Sequence, residues 1–177
     1  MVNNVAYIVD QIYTITGNSP VKKALQKTIY LLEQKGVDLG FKYILHFYGP
    51  YCAELDQETA ELNAEGIIHF DYGRFGHRMT VNKECEESIM SDLSDSEQNT
   101  IHEVIERYRD KTPSDLELLT TAIYAYKHTN SETVDEIVYN VKEIKGQKYN
   151  DREIRWALNE FPYFNIALSA SLDKATV

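Results

Sequence analysis

Apolar residues recur at helical spacing from the start of the chain. Val5, Ile8, Val9, Ile12 and Ile15 mark one face of a helix predicted over residues 3–16. Gly17-Asn18-Ser19-Pro20 breaks it, with Ser19 placed to cap a second helix and Pro20 in its first turn, where a missing N–H has no helical partner. Val21, Leu25, Thr28, Ile29 and Leu32 form the apolar face of that helix, and Lys35-Gly36 ends it. Lys42 to Tyr48 is rich in β-branched and aromatic residues, which predicts a short strand or extended lead-in interrupted by Gly49-Pro50. A third helix follows from about Tyr51 to Glu65, with Leu55, Ala60 and Leu62 near one side. The pattern then turns extended. Ile67 to Tyr72 reads as a strand, Gly73-Arg74-Phe75-Gly76 as a turn and His77 to Val81 as the returning strand. With Tyr72 opposite His77, Asp71 faces Arg78 as a favourable cross-strand charge pair.

The rest of the chain has helical periodicity with strong start signals. Ser94 with Glu97 makes a capping box before Ile101, Val104, Ile105 and Tyr108, and Thr112-Pro113-Ser114-Asp115 opens a helix carrying Leu116, Leu119, Ile123 and Tyr126. Ser131 opens another with Val134, Ile137, Val138, Val141 and Ile144, closed by Lys145-Gly146. Asn150 with Glu153 starts a last one through Ile154, Ala157, Leu158 and Phe161, ended by Pro162; residues 163–177 carry no clear pattern. Three helices followed by a hairpin is the order of a winged helix-turn-helix. The expected fold is mainly α (α+β): a winged-helix-turn-helix-like core with a small β-hairpin wing over residues 1–92, then a C-terminal helical extension over 93–177 packed on the core.

Composition narrows the functional classes. There are 28 acidic against 18 basic residues, a net charge of −10. Nucleic-acid binders draw much of their affinity from neutralising phosphates, so this balance disfavours DNA as a partner without excluding a local basic patch. No stretch approaches the roughly 18–20 apolar residues of a membrane span. Met1-Val2-Asn3-Asn4 does not begin a signal peptide, and Cys52 and Cys85 fit no metal or redox spacing, so a cytoplasmic setting is expected with no metal and no cofactor.

Several segments resemble one family. Lys23-Ala24-Leu25-Gln26-Lys27-Thr28-Ile29-Tyr30-Leu31 is similar to the K-x-L-Q-K-x-x-Y-x motif of YwgA-like proteins and of the related Panacea (SocA-like) antitoxin domains. Phe47-Tyr48-Gly49-Pro50-Tyr51-Cys52-Ala53-Glu54-Leu55 resembles their Y-G-P-[YF]-S-x-x-L segment, and Leu62 to Ile68 their L-x-x-x-G-[LI]-I. Leu116 to Tyr124 and Val141 to Ala157 resemble helices late in YwgA-like chains. Cys52 is a departure, standing where the family commonly has Ser. The resemblance implies a winged-helix-like fold and a non-catalytic regulatory role, which in the Panacea branch is often partner neutralisation or antitoxin activity.

Chemistry at candidate sites points the same way. The third helix carries Glu54, Asp56, Glu58, Glu61 and Glu65 and no Lys or Arg, so phosphate would repel it and no Arg is there to read guanine. Tyr48, Pro50, Tyr51, Glu54 and Leu55 are the candidate partner-binding residues, because tyrosines offer large contact area at low entropic cost; a rigid structural corner is the competing reading of the same segment. Lys22, Lys23 and Lys27 oppose the dipole of the second helix and invite an anion, which is the acidic third helix, a partner protein or phosphate. Arg74 and Phe75 at the wing tip are the further candidates, entering a minor groove or docking on a protein, with Phe75 folding back onto the hairpin as the alternative. For catalysis, the G-x-S-x-G, P-loop and H-E-x-x-H patterns are all missing, and the five histidines are dispersed. Cys52 falls in a helix's first turn, where the dipole can lower a thiol pKa, but no His is placed as its base. The sequence therefore predicts an antitoxin-like, non-enzymatic protein-interaction module whose partner is encoded by a neighbouring gene. Its alternatives are a regulator touching DNA through the Lys22/Lys23/Lys27 helix and the wing, as a homodimer, and a ligand-sensing domain of unknown specificity.

Overall fold

A computed structural model describes residues 2–73 and 76–169. Within them the chain forms α1 (Asn4–Thr16), α2 (Lys22–Gln34), β1 (Ile44–His46), β2 (Gly49–Tyr51), α3 (Ala53–Ala64), β3 (Ile68–Gly73) and β4 (Gly76–Val81). These are followed by α4 (Asp95–Tyr108), α5 (Pro113–His128), α6 (Val134–Lys145) and α7 (Asp151–Asn159). The protein is mainly helical, with two small antiparallel sheets, β1–β2 and β3–β4. Turns of 3₁₀ helix cover Glu86–Ile89 and Phe161–Phe164, so Pro162 sits inside the second of these and α7 has already ended at Asn159.

Starts set by neighbouring residues are as expected. Ser94, Thr112 and Asn150 each cap their helix through an oxygen that accepts the N3 backbone N–H, while Glu97, Asp115 and Glu153 reach back to close the box. For α6 the capping pair is Thr133 with Glu136, two residues beyond Ser131, whose hydroxyl is instead held by Asn140 and Thr129.

Two expectations fail for long-range reasons. Ser19 does not cap α2. The Pro20 carbonyl accepts the N–H of Met79 and Val21 bridges Arg78, so residues 20–21 lie extended along β4 and the helix begins one step later, on a Val21 without a capping side chain. Gly49-Pro50 does not interrupt a strand either: Gly49–Tyr51 is itself a strand, paired with Ile44–His46, and α3 starts only at Ala53. Neither Phe47 nor Tyr48 in the intervening turn has a positive φ, and Gly49 at φ 85° supplies the left-handed residue that lets the two strands pair. Pro50 is tolerated there because the hairpin has only two strands and its missing N–H breaks no further ladder.

The β3–β4 register matches Tyr72 to His77 and Asp71 to Arg78. Arg78 nevertheless reaches past Asp71 and donates to the Ser19 carbonyl at 3.0 Å, so the registered neighbours do not form the ion pair.

Packing centres on α2 and α5, which lie against each other. α1 rests on α4 and β4, α2 also touches α4 and β2, and α5 also touches β2, α6 and α7. Leu116 to Ile123 are buried around the whole circumference of α5, as a central helix requires. Buried side chains from α1–α3 and from α4–α7 belong to one hydrophobic cluster, so the two halves of the chain share their core.

Candidate functional site

One face of α2 carries Lys23, Gln26 and Lys27 at spacings that place them side by side over β2 and α5. The Gln26 amide grips the backbone of Cys52 from both sides: Nε2 donates to its carbonyl at 2.8 Å, and its N–H donates to Oε1 at 3.0 Å. Lys27 is 2% exposed and donates to the carbonyl of Pro50. The hairpin is thus pinned from beneath by two side chains one residue apart. Gly49 completes the fit, because a Cβ there would lie 2.7 Å from Thr121 Oγ1 on α5.

Glu117 is the charge at the centre. Its side chain is fully buried and receives Lys23 from α2, Lys145 from the end of α6 at 2.8 Å and Lys148 at 2.6 Å. Lys145 spends a second donor on the Phe47 carbonyl at 2.8 Å, tying the hairpin turn to the same cluster. Burial pushes the Glu117 carboxyl up, but hydrogen bonds from Lys145, Lys148 and Lys23 outweigh it and hold the group at about 2. Burial drives Lys27 down to about 7; Glu117 opposes that fall, while Lys145, Lys23 and Lys148 add to it. Burial also lowers Lys145, against its bond to Glu117.

Above this polar base the hairpin presents apolar side chains to solvent. Ile44 is 64% exposed and Phe47 79%, with Leu45 and Tyr48 also exposed. The Tyr48 ring lies within 5.3 Å of the Lys23 ammonium and 5.9 Å of that of Lys148, and meets Phe47 edge-on at 5.0 Å. His46 packs over Tyr51 at 5.4 Å. Between this hairpin, the start of α2 and the Gly76-His77 end of β4 lies a cleft of about 580 Å³.

The predicted partner residues divide by depth. Tyr48 and Glu54 are exposed and Tyr51 is half-buried, whereas Pro50 and Leu55 are buried and reach no surface. Pro50 acts through its carbonyl and Leu55 through the core. Of the candidate anion contacts, Lys22 pairs with Asp56 of the acidic α3 at 2.6 Å, Lys23 with Glu117, and Lys27 is buried beside the cleft. Arg74 and Phe75 lie outside the described residues. Cys52 is the N-cap of α3, its Sγ accepting the Leu55 N–H at 3.4 Å, so it occupies the capping role that a serine suits. Burial raises its thiol pKa, and Glu54 raises it further, the reverse of what a thiolate nucleophile needs. Periodicity does not pick out Glu117, Lys145 or Lys148. The available signal is that Glu117 is the lone charge in the run from Leu116 to Tyr126.

Residues 25–125 match the antitoxin SocA-like, Panacea domain. The chain belongs to that family. The matched span holds Gln26, Lys27, Gly49, Pro50, Cys52 and Glu117, while Lys23, Lys145 and Lys148, which converge on Glu117, lie outside it. The chain is also 28% identical over 152 residues to the uncharacterized protein YwgA of Bacillus subtilis (strain 168), covering 84% of this chain and 89% of that relative. Beyond the Panacea match, YwgA similarity therefore extends over most of the helical C-terminal part.

Proposed function

We propose that this protein is an antitoxin-like, non-catalytic regulator that holds a partner protein at the β1–β2 hairpin. The observation that carries the reading is the exposed apolar tip of Ile44, Leu45, Phe47 and Tyr48 on a hairpin whose backbone is fixed by Gln26, Lys27 and Lys145. An exposed cluster of large apolar residues is a recognised mark of an interaction surface, and a preorganised one binds with less ordering cost. Glu54 and Tyr51 flank the tip and supply polar contacts at its rim. Membership of an antitoxin-like family supports a partner that is neutralised by being held, and a neighbouring gene is the natural place to look for it. Residues 1–92, with α1–α3 and the β3–β4 hairpin, serve as a winged-helix-like unit, and residues 93–177 brace it through α5, in a cytoplasmic protein.

DNA binding has less support. α3 carries Glu54, Asp56, Glu58 and Glu61 without a single basic residue, with Glu65 as its C-cap, so the helix that a winged helix would insert into the major groove repels phosphate.

The test is recovery of the tagged protein from its native cells, with mass spectrometry of what accompanies it. A partner in comparable amount, lost with Phe47→Asp while the variant's melting temperature is unchanged, is the expected result. Recovery of the wild-type chain alone, or of the same partner with Phe47→Asp, overturns the proposal.

A further inference from the structure

The cleft beside the hairpin has a chemistry that holding a protein at the apolar tip does not use. Lys22, Lys23, Lys27, Lys145 and Lys148 gather there and beneath it, and the carboxylates among them are Asp56 and Glu117. Cations are therefore in excess at this one place, in a chain whose net charge is −10. Such an excess focuses potential into a concave, partly dry site and draws in an anion.

Lys27 strengthens the case. It lines the cleft, is 2% exposed, and among the described residues donates to one acceptor, the Pro50 carbonyl, with no carboxylate bonded to it. An ammonium has three donors, so two remain for a further acceptor, and burial weakens the charge on Lys27 although Glu117 supports it, so a bound anion would stabilise the charged form. The start of α2 opens onto the same space with Val21 as its N-cap, whose side chain accepts nothing, leaving first-turn N–H groups available to an anion.

The remaining walls are flat and mostly apolar. Tyr48 and Tyr51 line the hairpin side with His46, and His77 lines the β4 side. An inorganic anion alone leaves these walls unused, and an apolar molecule leaves the lysines unused. A planar ring with an anionic tail uses both, and about 580 Å³ lies in the range of small-molecule sites.

We propose that this cleft binds a nucleoside phosphate, with the phosphate towards Lys22, Lys27 and the start of α2 and the base stacked among Tyr48, Tyr51 and His77. Aromatic stacking tolerates different bases, so the phosphate is the common element of recognition. The proposal does not rest on the partner reading: Tyr48 and Tyr51 border both surfaces, but Lys22 lies outside the apolar tip and Phe47 outside the cleft lining, so Lys22→Ala and Phe47→Asp separate nucleotide binding from partner capture.

Isothermal titration of the full-length chain with ADP, GDP, adenosine and inorganic phosphate tests it. The expected result is binding of the nucleotides, with adenosine and phosphate each weaker by about tenfold or more, as the loss of one good contact gives. Lys22→Ala, at a half-exposed position, is expected to weaken ADP about tenfold and to leave melting unchanged. Lys27→Met removes the buried ammonium without shortening the side chain and is expected to abolish binding, with urea unfolding showing that the variant is folded. Failure of both nucleotides at about 1 mM, or equal binding by wild type and Lys22→Ala, overturns the assignment. Selective binding of a tyrosine-phosphorylated peptide in place of the nucleotides overturns it in favour of a protein ligand.

Discussion

Replacing Glu117 with Gln keeps the shape of the side chain and removes the charge on which Lys23, Lys145 and Lys148 converge. The Glu117 side chain is fully buried and that of Lys145 is 3% exposed, so Lys145 cannot turn to water without moving the end of α6. Removing one member of a buried ion pair costs about 3–5 kcal/mol, because the charge left behind is still buried. The displaced pKa of the carboxyl, which arises from the same contacts, corresponds to a cost of the same order. Glu117 is held at about 2 against an ordinary 4.5; at about 1.36 kcal/mol per pH unit that displacement corresponds to about 3 kcal/mol. Because the folded value is the lower one, this stability is fully present above about pH 4.5 and is lost as the pH falls through about 2. Glu117→Gln is therefore expected to lower the melting temperature by about 6–20 °C at neutral pH, at about 2–4 °C per kcal/mol for a chain of this size. Urea unfolding followed by circular dichroism from about pH 2 to 8 measures both effects, and the variant's acid limb should be flatter than that of wild type. The double variant Glu117→Gln, Lys145→Met should recover part of the loss, since it no longer leaves the Lys145 ammonium buried without its carboxylate. A loss below about 1 kcal/mol, or an acid limb identical in wild type and variant, refutes the account of Glu117 as the balancing charge of the clamp.

Three further outcomes follow from the same geometry. Gly49→Ala must place a Cβ 2.7 Å from Thr121 Oγ1 at φ 85°; adding about 1–2 kcal/mol for the left-handed backbone to about 1–3 for overpacking gives about 2–5 kcal/mol of destabilisation by urea unfolding. The stability difference between wild type and Lys27→Met should depend on pH in the alkaline range. The folded ammonium titrates at about 7 against an ordinary 10.5, so the wild type gains on the variant as the pH rises between these values, and a difference constant over that range contradicts the burial of a lysine without a carboxylate. Cys52→Ser places a stronger oxygen cap on the N–H of Leu55, and is expected to raise stability by about 0.5–1 kcal/mol in the same assay.

The local grammar of the chain settled much of this protein in advance. Ser94, Thr112 and Asn150 start their helices because each capping box closes within three residues and needs nothing from the rest of the fold. The β3–β4 register follows from a short turn and alternating side chains, and the acidity of α3 is plain from its residues. Family membership is also carried by short motifs. Their physical meaning is not, because each motif is completed by a distant one. Gln26 and Lys27 matter through Cys52 and Pro50, more than 20 residues away, and Glu117 matters through lysines on both sides of it in the sequence. Ser19 loses its capping role to a strand about 60 residues on, and Pro50 and Leu55 leave the surface for the interior. Helix starts and hairpin registers depend on neighbours in the chain, whereas burial and charge pairing depend on which elements meet. Only the packing of α2 against α5 turned three separate motifs into a clamped hairpin with an exposed apolar tip and a cationic cleft beside it.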